Sequence, residues 1–234
     1  MDLSQFDKAA IAFQLIAFLF AISVHESAHA WMANRCGDPT ARLLGRITLN
    51  PAKHIDPIGT IVMPLIALVT HFPMIGWAKP TPVDPRNFKN PVKDDILTAV
   101  VGPLSNFLVA SGAVGILFLI AKTSATGHGL VQTMPLSYRL GVAGLGTTSW
   151  LAPTTVFLYE LMLINVILGV FNLIPVSPLD GSHVLRHFLP EAVRRIYDAA
   201  GVFGLLALVY LGGNLLARLI SPFLGFFDRI LTRF

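Results

Sequence analysis

One turn of this chain, His25-Glu26-Ser27-Ala28-His29, holds two imidazoles and a carboxylate inside a long apolar run. On an α-helix, residues i and i+4 share a face, so His25 and His29 can present ring nitrogens to one cation, at the roughly 2.0–2.1 Å of zinc–imidazole bonds. Glu26, beside the first of them, is placed to hold and deprotonate a water at that cation. The alternative is a structural hydrogen-bond network inside a bundle. It is the weaker reading, because ionisable groups at membrane depth are costly and usually functional. A catalytic zinc site takes three protein ligands and keeps one position open. The best third ligand is Asp180, in the stretch NLIPVSPLDG at 172–181. Pro175 and Pro178 break the backbone just before it, and such backbone is tolerated at membrane depth only where protein or a water-filled cavity surrounds it. Asn172 precedes the break, and its amide can donate to a developing oxyanion or grip a substrate backbone.

The elements that must position these groups are set by composition. Of 234 residues, 54% are hydrophobic and 13% charged, and the mean hydropathy is +0.67. That exceeds what a soluble core needs and implies an integral membrane protein whose partner is the lipid bilayer. The net charge of +4 does not indicate nucleic acid, because no basic patch is interleaved with aromatics; Lys and Arg sit mainly between apolar segments, as topology determinants. The single cysteine, Cys36, excludes an intramolecular disulfide framework and lies too far along the helix from His29 to join the same ion. The first apolar segment lacks a basic n-region and a small-x-small exit, so it is not read as a cleavable signal.

A membrane span needs about 20 apolar residues. Four segments meet this clearly: 9–33, 96–121, 154–174 and 201–220. A fifth, 58–77, is broken by Pro64 and Pro73. The stretch GRITLNP at 45–51 alternates apolar and polar residues between Gly and Pro, and reads as a short membrane-associated β element. Its edge, from Arg46 through Ile47, Thr48 and Leu49 to Asn50, could pair with an extended substrate backbone. The stretch GWAKPTPVDPRNFKNP at 76–91 has too many prolines for regular helix or central strand. Residues 129–153 read as a Gly-, Ser- and Thr-rich loop, and 222–234 as an interfacial helix with Phe223, Phe226, Phe227, Ile230 and Leu231 on one face. The expected fold is an all-α polytopic bundle forming a single domain over 1–234, with a core at about 9–190.

At HESAH (25–29), GPLSN (102–106) and NLIPVSPLDG (172–181), in that order, the chain resembles the site-2 protease family of intramembrane zinc metalloproteases. The stretches at 45–51 and 76–91 further resemble its compact bacterial branch, which carries no PDZ domain. The resemblance implies one Zn2+ per chain held by His25, His29 and Asp180, with Glu26 as general base and acid. It further implies that Asn172 positions substrate or stabilises the oxyanion and that Asn106 lines the site. Ser182 stands where the family usually has a second glycine. The implied partner is a transmembrane protein or peptide, cut by hydrolysis in or near its membrane segment. A zinc transporter or sensor using the same ligands, or an inactive membrane chaperone, is the alternative.

Joining His25 to Asp180 constrains the topology. The ends of the first and third clear spans must lie on one side, so 58–77 must cross zero or two times and is expected to be re-entrant or a short hairpin. On this scheme that side holds most of the 17 Lys and Arg residues, which makes it cytoplasmic, in a bacterial plasma membrane. Asn106, Asn165 and Asn172 are candidates to line a water path. His183 and His187 form a second i, i+4 pair, but no acidic residue lies between them and Arg186 adds repulsion, so they read as membrane-surface residues. His54, His71 and His128 read as polar surface or capping residues.

Overall fold

The structure is a computed structural model that describes residues 5–63, 66, 77–139 and 149–233. Its described part is helical with no strand. Among the described residues, three helices are long and apolar enough to cross a membrane: α1 (Gln5–Cys36), α3 (Pro91–Thr123) and α5 (Leu151–Asn172), with the short α2 (Thr40–Leu43) between the first two. Along the 33 residues of α3 the helix rises about 50 Å, longer than the roughly 30 Å of hydrocarbon, whereas the 22 residues of α5 match it at about 33 Å. Pro91 opens α3 at a position where a missing N–H costs nothing, and the Asp94 carboxylate reaches back to the Asn90 N–H at 2.7 Å.

These three helices pack on one another through small residues. Ala17, Ala21, Ala30 and Ala33 of α1 and Ala99, Ala110 and Ala113 of α3 are all buried, and their short side chains let the backbones approach where lipid supplies no hydrophobic drive. Beyond them, Leu117 of α3 and Val156, Met162 and Val166 of α5 fill the core.

Four expectations change. Residues 129–153 are not simply loop, since α4 (Ala125–Arg139) is a helix and buries Leu130, Val131 and Met134. Gly127 permits this, for a Cβ there would stand 2.5 Å from the Ile120 carbonyl oxygen. Packing overrides the poor helix propensity of Gly, Ser and Thr. The fourth clear span is not one straight helix: α7 (Glu191–Leu211) and α8 (Gly213–Thr232) meet at Gly212, with an 80° bend between Phe203–Leu211 and Gly213–Thr232. A Cβ at Gly212 would collide with the Leu208 carbonyl, so the turn needs glycine. The third change concerns 222–234, which continues α8 through Pro222 and seats Phe227 and Leu231 in the core, while Asp228 accepts from the Tyr159 hydroxyl at 2.9 Å.

The fourth change is the β element at 45–51, which does not form. Its backbone bonds are local: Gly45 N–H to Arg42 O and Arg46 N–H to Ala41 O at 2.9 Å each, and Thr48 N–H to Arg46 O at 3.0 Å. Alternation misled because the buried residue is the charged one. Arg46 is 4% exposed while Leu49 is 58% exposed. The Arg46 guanidinium donates to the Lys53 and Lys79 carbonyls, and Asn50 caps the 3-10 turn Pro51–Lys53 through its side chain. The stretch is therefore a run of local turns that leaves Ile47 and Leu49 exposed.

Between α1 and α3 the chain comes back to where it left. The Lys89 N–H donates to Cys36 O at 3.1 Å, and Asp38 accepts from the Asp84 N–H at 2.7 Å and from Asn87 Nδ2 at 2.9 Å. Burial pushes the Asp38 carboxyl up, but these bonds and those from Thr40 hold it below its usual value. The doubtful segment closes on itself too: the Trp77 N–H donates to Gly59 O at 3.2 Å, and the Thr60 hydroxyl to Trp77 O at 2.8 Å. Its entry and exit are therefore adjacent, as a return without net crossing requires. Most of 64–76 lies outside the described residues. Single cysteines at 40 and 87, in a Cys36→Ala chain, are expected to label with an impermeant reagent from the same face; labelling from opposite faces would break this arrangement.

Candidate metal centre

The site lies where the second half of α1 meets α3 and the short α6 (Asp180–Arg186). His25 and His29 are 5% and 8% exposed. Their Nε2 atoms stand 3.0 Å apart, and the Asp180 carboxylate completes the group, with Oδ2 at 3.2 Å from His25 Nε2 and Oδ1 at 3.4 Å from His29 Nε2. The three sequence-predicted ligands, separated by about 150 residues of chain, are thus brought together.

The tautomers follow from the partners on the far side of each ring. His29 Nδ1 lies 2.6 Å from the Thr98 carbonyl, which can only accept, so that nitrogen carries the proton. His25 Nδ1 lies 2.7 Å from Asn106 Oδ1. The orientation of that amide is fixed by its other end, where Asn106 Nδ2 donates to Asn165 Oδ1 at 2.9 Å and to Ala21 O at 3.3 Å. Asn165 is held in turn by its own bond to Leu161 O at 2.8 Å. With both protons on Nδ1, two Nε2 lone pairs face each other across 3.0 Å beside a carboxylate, and Asp180 Oδ2 is buried with no hydrogen-bond partner. Such a group calls for a cation, and two imidazoles with one carboxylate are a zinc donor set. The three donor atoms lie within 4.8 Å of one another, close enough to share one ion.

Glycines make the room. A Cβ at Gly102 would collide with His29 Nε2 and stand 2.8 Å from His25 Cε1. Along α3, positions 98, 102 and 106 form one i+4 row, in which Thr98 and Asn106 hold the rings and Gly102 clears space between them. A Cβ at Gly181 would stand 2.7 Å from the Ile174 carbonyl oxygen, so glycine lets α6 start tight against the end of α5.

Glu26 is clamped from the proline-rich stretch. Thr81 donates its N–H to Glu26 Oε2 at 2.9 Å, and its hydroxyl lies 2.7 Å from Oε2 and 3.0 Å from Glu26 O. Both hydrogen bonds to the carboxylate fall on Oε2. That stretch is itself tied down, since Lys79 N–H donates to His54 O at 2.8 Å and Arg46 binds Lys79 O. His54 is no surface residue: it is fully buried, with Nε2 2.8 Å from Thr48 O. Burial pulls its imidazole below the ordinary value, favouring the neutral ring.

Other expected site residues are placed differently. Asn106 and Asn165 are fully buried and bonded to each other, and Asn106 touches the site through His25. Asn172 Nδ2 donates to Leu168 O at 3.0 Å within its own helix. His183 and His187 both reach Asp95. Sequence reasoning missed Thr81, Thr98 and Asp95. Thr98 acts through a backbone carbonyl, which no residue type announces, and Thr81 lies in a stretch whose prolines hid everything but its irregularity.

Comparison with known proteins gives the same direction. Residues 13–211 match peptidase family M50. A Bacillus subtilis (strain 168) protein named "Putative zinc metalloprotease YwhC" is 33% identical over 197 residues, covering 84% of this chain and 78% of that protein. No solved structure matches. Two outcomes test the geometry. Gly102→Ala, by driving a methyl into both imidazoles, is expected to lower zinc retention against a chelator at least about tenfold. Thr81→Val, which keeps the N–H but removes the hydroxyl, is expected to cut peptidase activity about tenfold with zinc content unchanged, and Thr81→Ser to restore it.

Proposed function

The chain belongs to peptidase family M50 and is a zinc-dependent peptidase, and from that premise we propose that it hydrolyses a peptide bond within or beside the transmembrane segment of a membrane-protein substrate. The observation that carries this reading is the helix on which the site is built. His25, Glu26 and His29 lie on a helix apolar enough to cross a membrane, packed against a second such helix. A peptidase built there meets its substrate at the bilayer.

In this reading His25, His29 and Asp180 hold one zinc ion, and Glu26 is the general base. Zinc, when bound, acts as a Lewis acid toward a water and a carbonyl oxygen. Glu26 takes a proton from the attacking water as that water's oxygen bonds to the scissile carbonyl carbon. It then delivers the proton to the amine as the C–N bond breaks. Because Thr81 occupies Oε2, Oε1 is the oxygen that exchanges the proton. Thr81 also fixes the carboxylate's direction, so little reorganisation is needed during transfer. Asn106 and the Thr98 carbonyl act on the rings alone, holding the tautomer that leaves both Nε2 atoms to the metal. Asn172 is the donor to substrate or oxyanion; an amide NH2 has two hydrogens, and Leu168 O takes one.

The substrate must unwind locally, since a helix hides its carbonyls from attack. The site end of α1 carries Arg35, and the chain from α2 to the first turn of α3 holds Arg42, Arg46, Lys53, Lys79, Arg86, Lys89 and Lys93. This excess of basic residues supports a cytoplasmic face for the site, in the plasma membrane of a bacterium. In detergent, the chain is expected to cleave a model transmembrane peptide, to stop when zinc is chelated and to resume when it is returned. Glu26→Gln is expected to lose at least about 100-fold in rate with zinc still bound. Cleavage retained by Glu26→Gln would overturn the assignment.

A further inference from the structure

Two of the presumed zinc ligands have visible anchors on α3: Asn106 for His25 and the Thr98 carbonyl for His29. The third, Asp180, opens a helix of only seven residues. So short a helix has little orientation of its own. What ties it down is a carboxylate one turn before Thr98. Asp95 Oδ2 lies 2.7 Å from His187 Nε2 and Asp95 Oδ1 lies 3.2 Å from His183 Nδ1, so the two arms of the i, i+4 pair on α6 close on one side chain of α3. The Asp95 side chain is 13% exposed, and its partners are 19% and 44% exposed.

The other ion pair on α6 is weaker. Arg186 meets Asp198 at 3.3 Å, but both side chains are well exposed, and such pairs contribute little. Nor is the cluster a second metal site. Among the described residues the convergent donor set is His25, His29 and Asp180.

We infer that Asp95 is a positioning residue for zinc binding: through His183 and His187 it holds α6 against α3, and so sets Asp180 opposite His25 and His29. One helix then orients all three ligands, each by a different kind of group. The inference rests on the reading of those three residues as the zinc ligands.

The test uses the full chain in detergent, loaded with Co2+, whose visible absorption reports the ligand set. Asp180→Ala is expected to change that spectrum. Asp95→Leu, close in size but without polar atoms, is expected to move it the same way and to lower zinc retention against a chelator by about ten- to hundredfold. Excess zinc is expected to restore most of its peptidase activity, which loss of fold would not allow. The double variant His183→Leu, His187→Leu is expected to behave alike, and adding Asp95→Leu to it to cause no further loss, since both remove one tie. If Asp95→Leu is not recovered folded, the double variant decides. An unchanged spectrum in Asp180→Ala means that the ligand assignment itself fails. A changed spectrum there, with wild-type spectrum and retention in Asp95→Leu and in the double variant, overturns the role of Asp95, as does an additive loss in the triple variant.

Discussion

Two imidazole nitrogens held 3.0 Å apart with their lone pairs facing are unfavourable in any solvent and more so in a membrane interior. Each ring has committed its proton to the opposite side, one to the Thr98 carbonyl and one to Asn106, so neither can relieve the other by donating. A cation resolves the conflict, and Asp180 brings the negative charge that lowers the cost of placing a dication there. Much of the structure serves this arrangement: α3 supplies the anchors, Gly102 the space, and α5 ends where α6 must begin.

The same constraint explains the loops. In the proposed mechanism Glu26 stands beside the ligands without joining them, and a lone carboxylate on an apolar helix would have no partner. Thr81 provides one from outside the helix, and holding Thr81 in place requires the layered contacts around it. Arg46 ties the 45–54 stretch to the 77–90 stretch through the Lys79 carbonyl, His54 fastens both, and Asp38 gathers Asp84 and Asn87. The irregular backbone here is held largely by protein partners, consistent with the rule that non-helical chain near a membrane must be satisfied by protein.

The polar asparagines inside the bundle belong to the same economy. Asn106 and Asn165 are fully buried, and each satisfies the other. Together they fix which nitrogen of His25 is protonated, a matter of orientation more than of direct catalysis. In the proposed mechanism, that distinction separates Glu26, which would touch the reacting atoms, from the residues that act through the proposed ligands.

The sequence by itself determined the donor types and their spacing. An i, i+4 histidine pair shares a helix face whatever surrounds it, and the NLIPVSPLDG stretch offered the one acidic residue at a broken helix end suited to complete it. Requiring the two to meet also led to the expectation that 58–77 returns without net crossing, because parity is a property of the whole chain; the meeting of Gly59 with Trp77 and of Cys36 with Lys89 is compatible with it. Only the tertiary structure decided what depends on partners distant in sequence or on groups that all residues share. Alternation at 45–51 suggested a strand, yet with no neighbouring strand to pair with, Arg46 turned inward to backbone carbonyls instead. Gly, Ser and Thr at 129–153 suggested a loop, yet packing on α3 and α5 made a helix of Ala125–Arg139. Thr98 acts through a carbonyl, and Asp95 and Thr81 through pairings 88 and 55 residues away; composition and periodicity record neither, because both describe only what lies nearby along the chain.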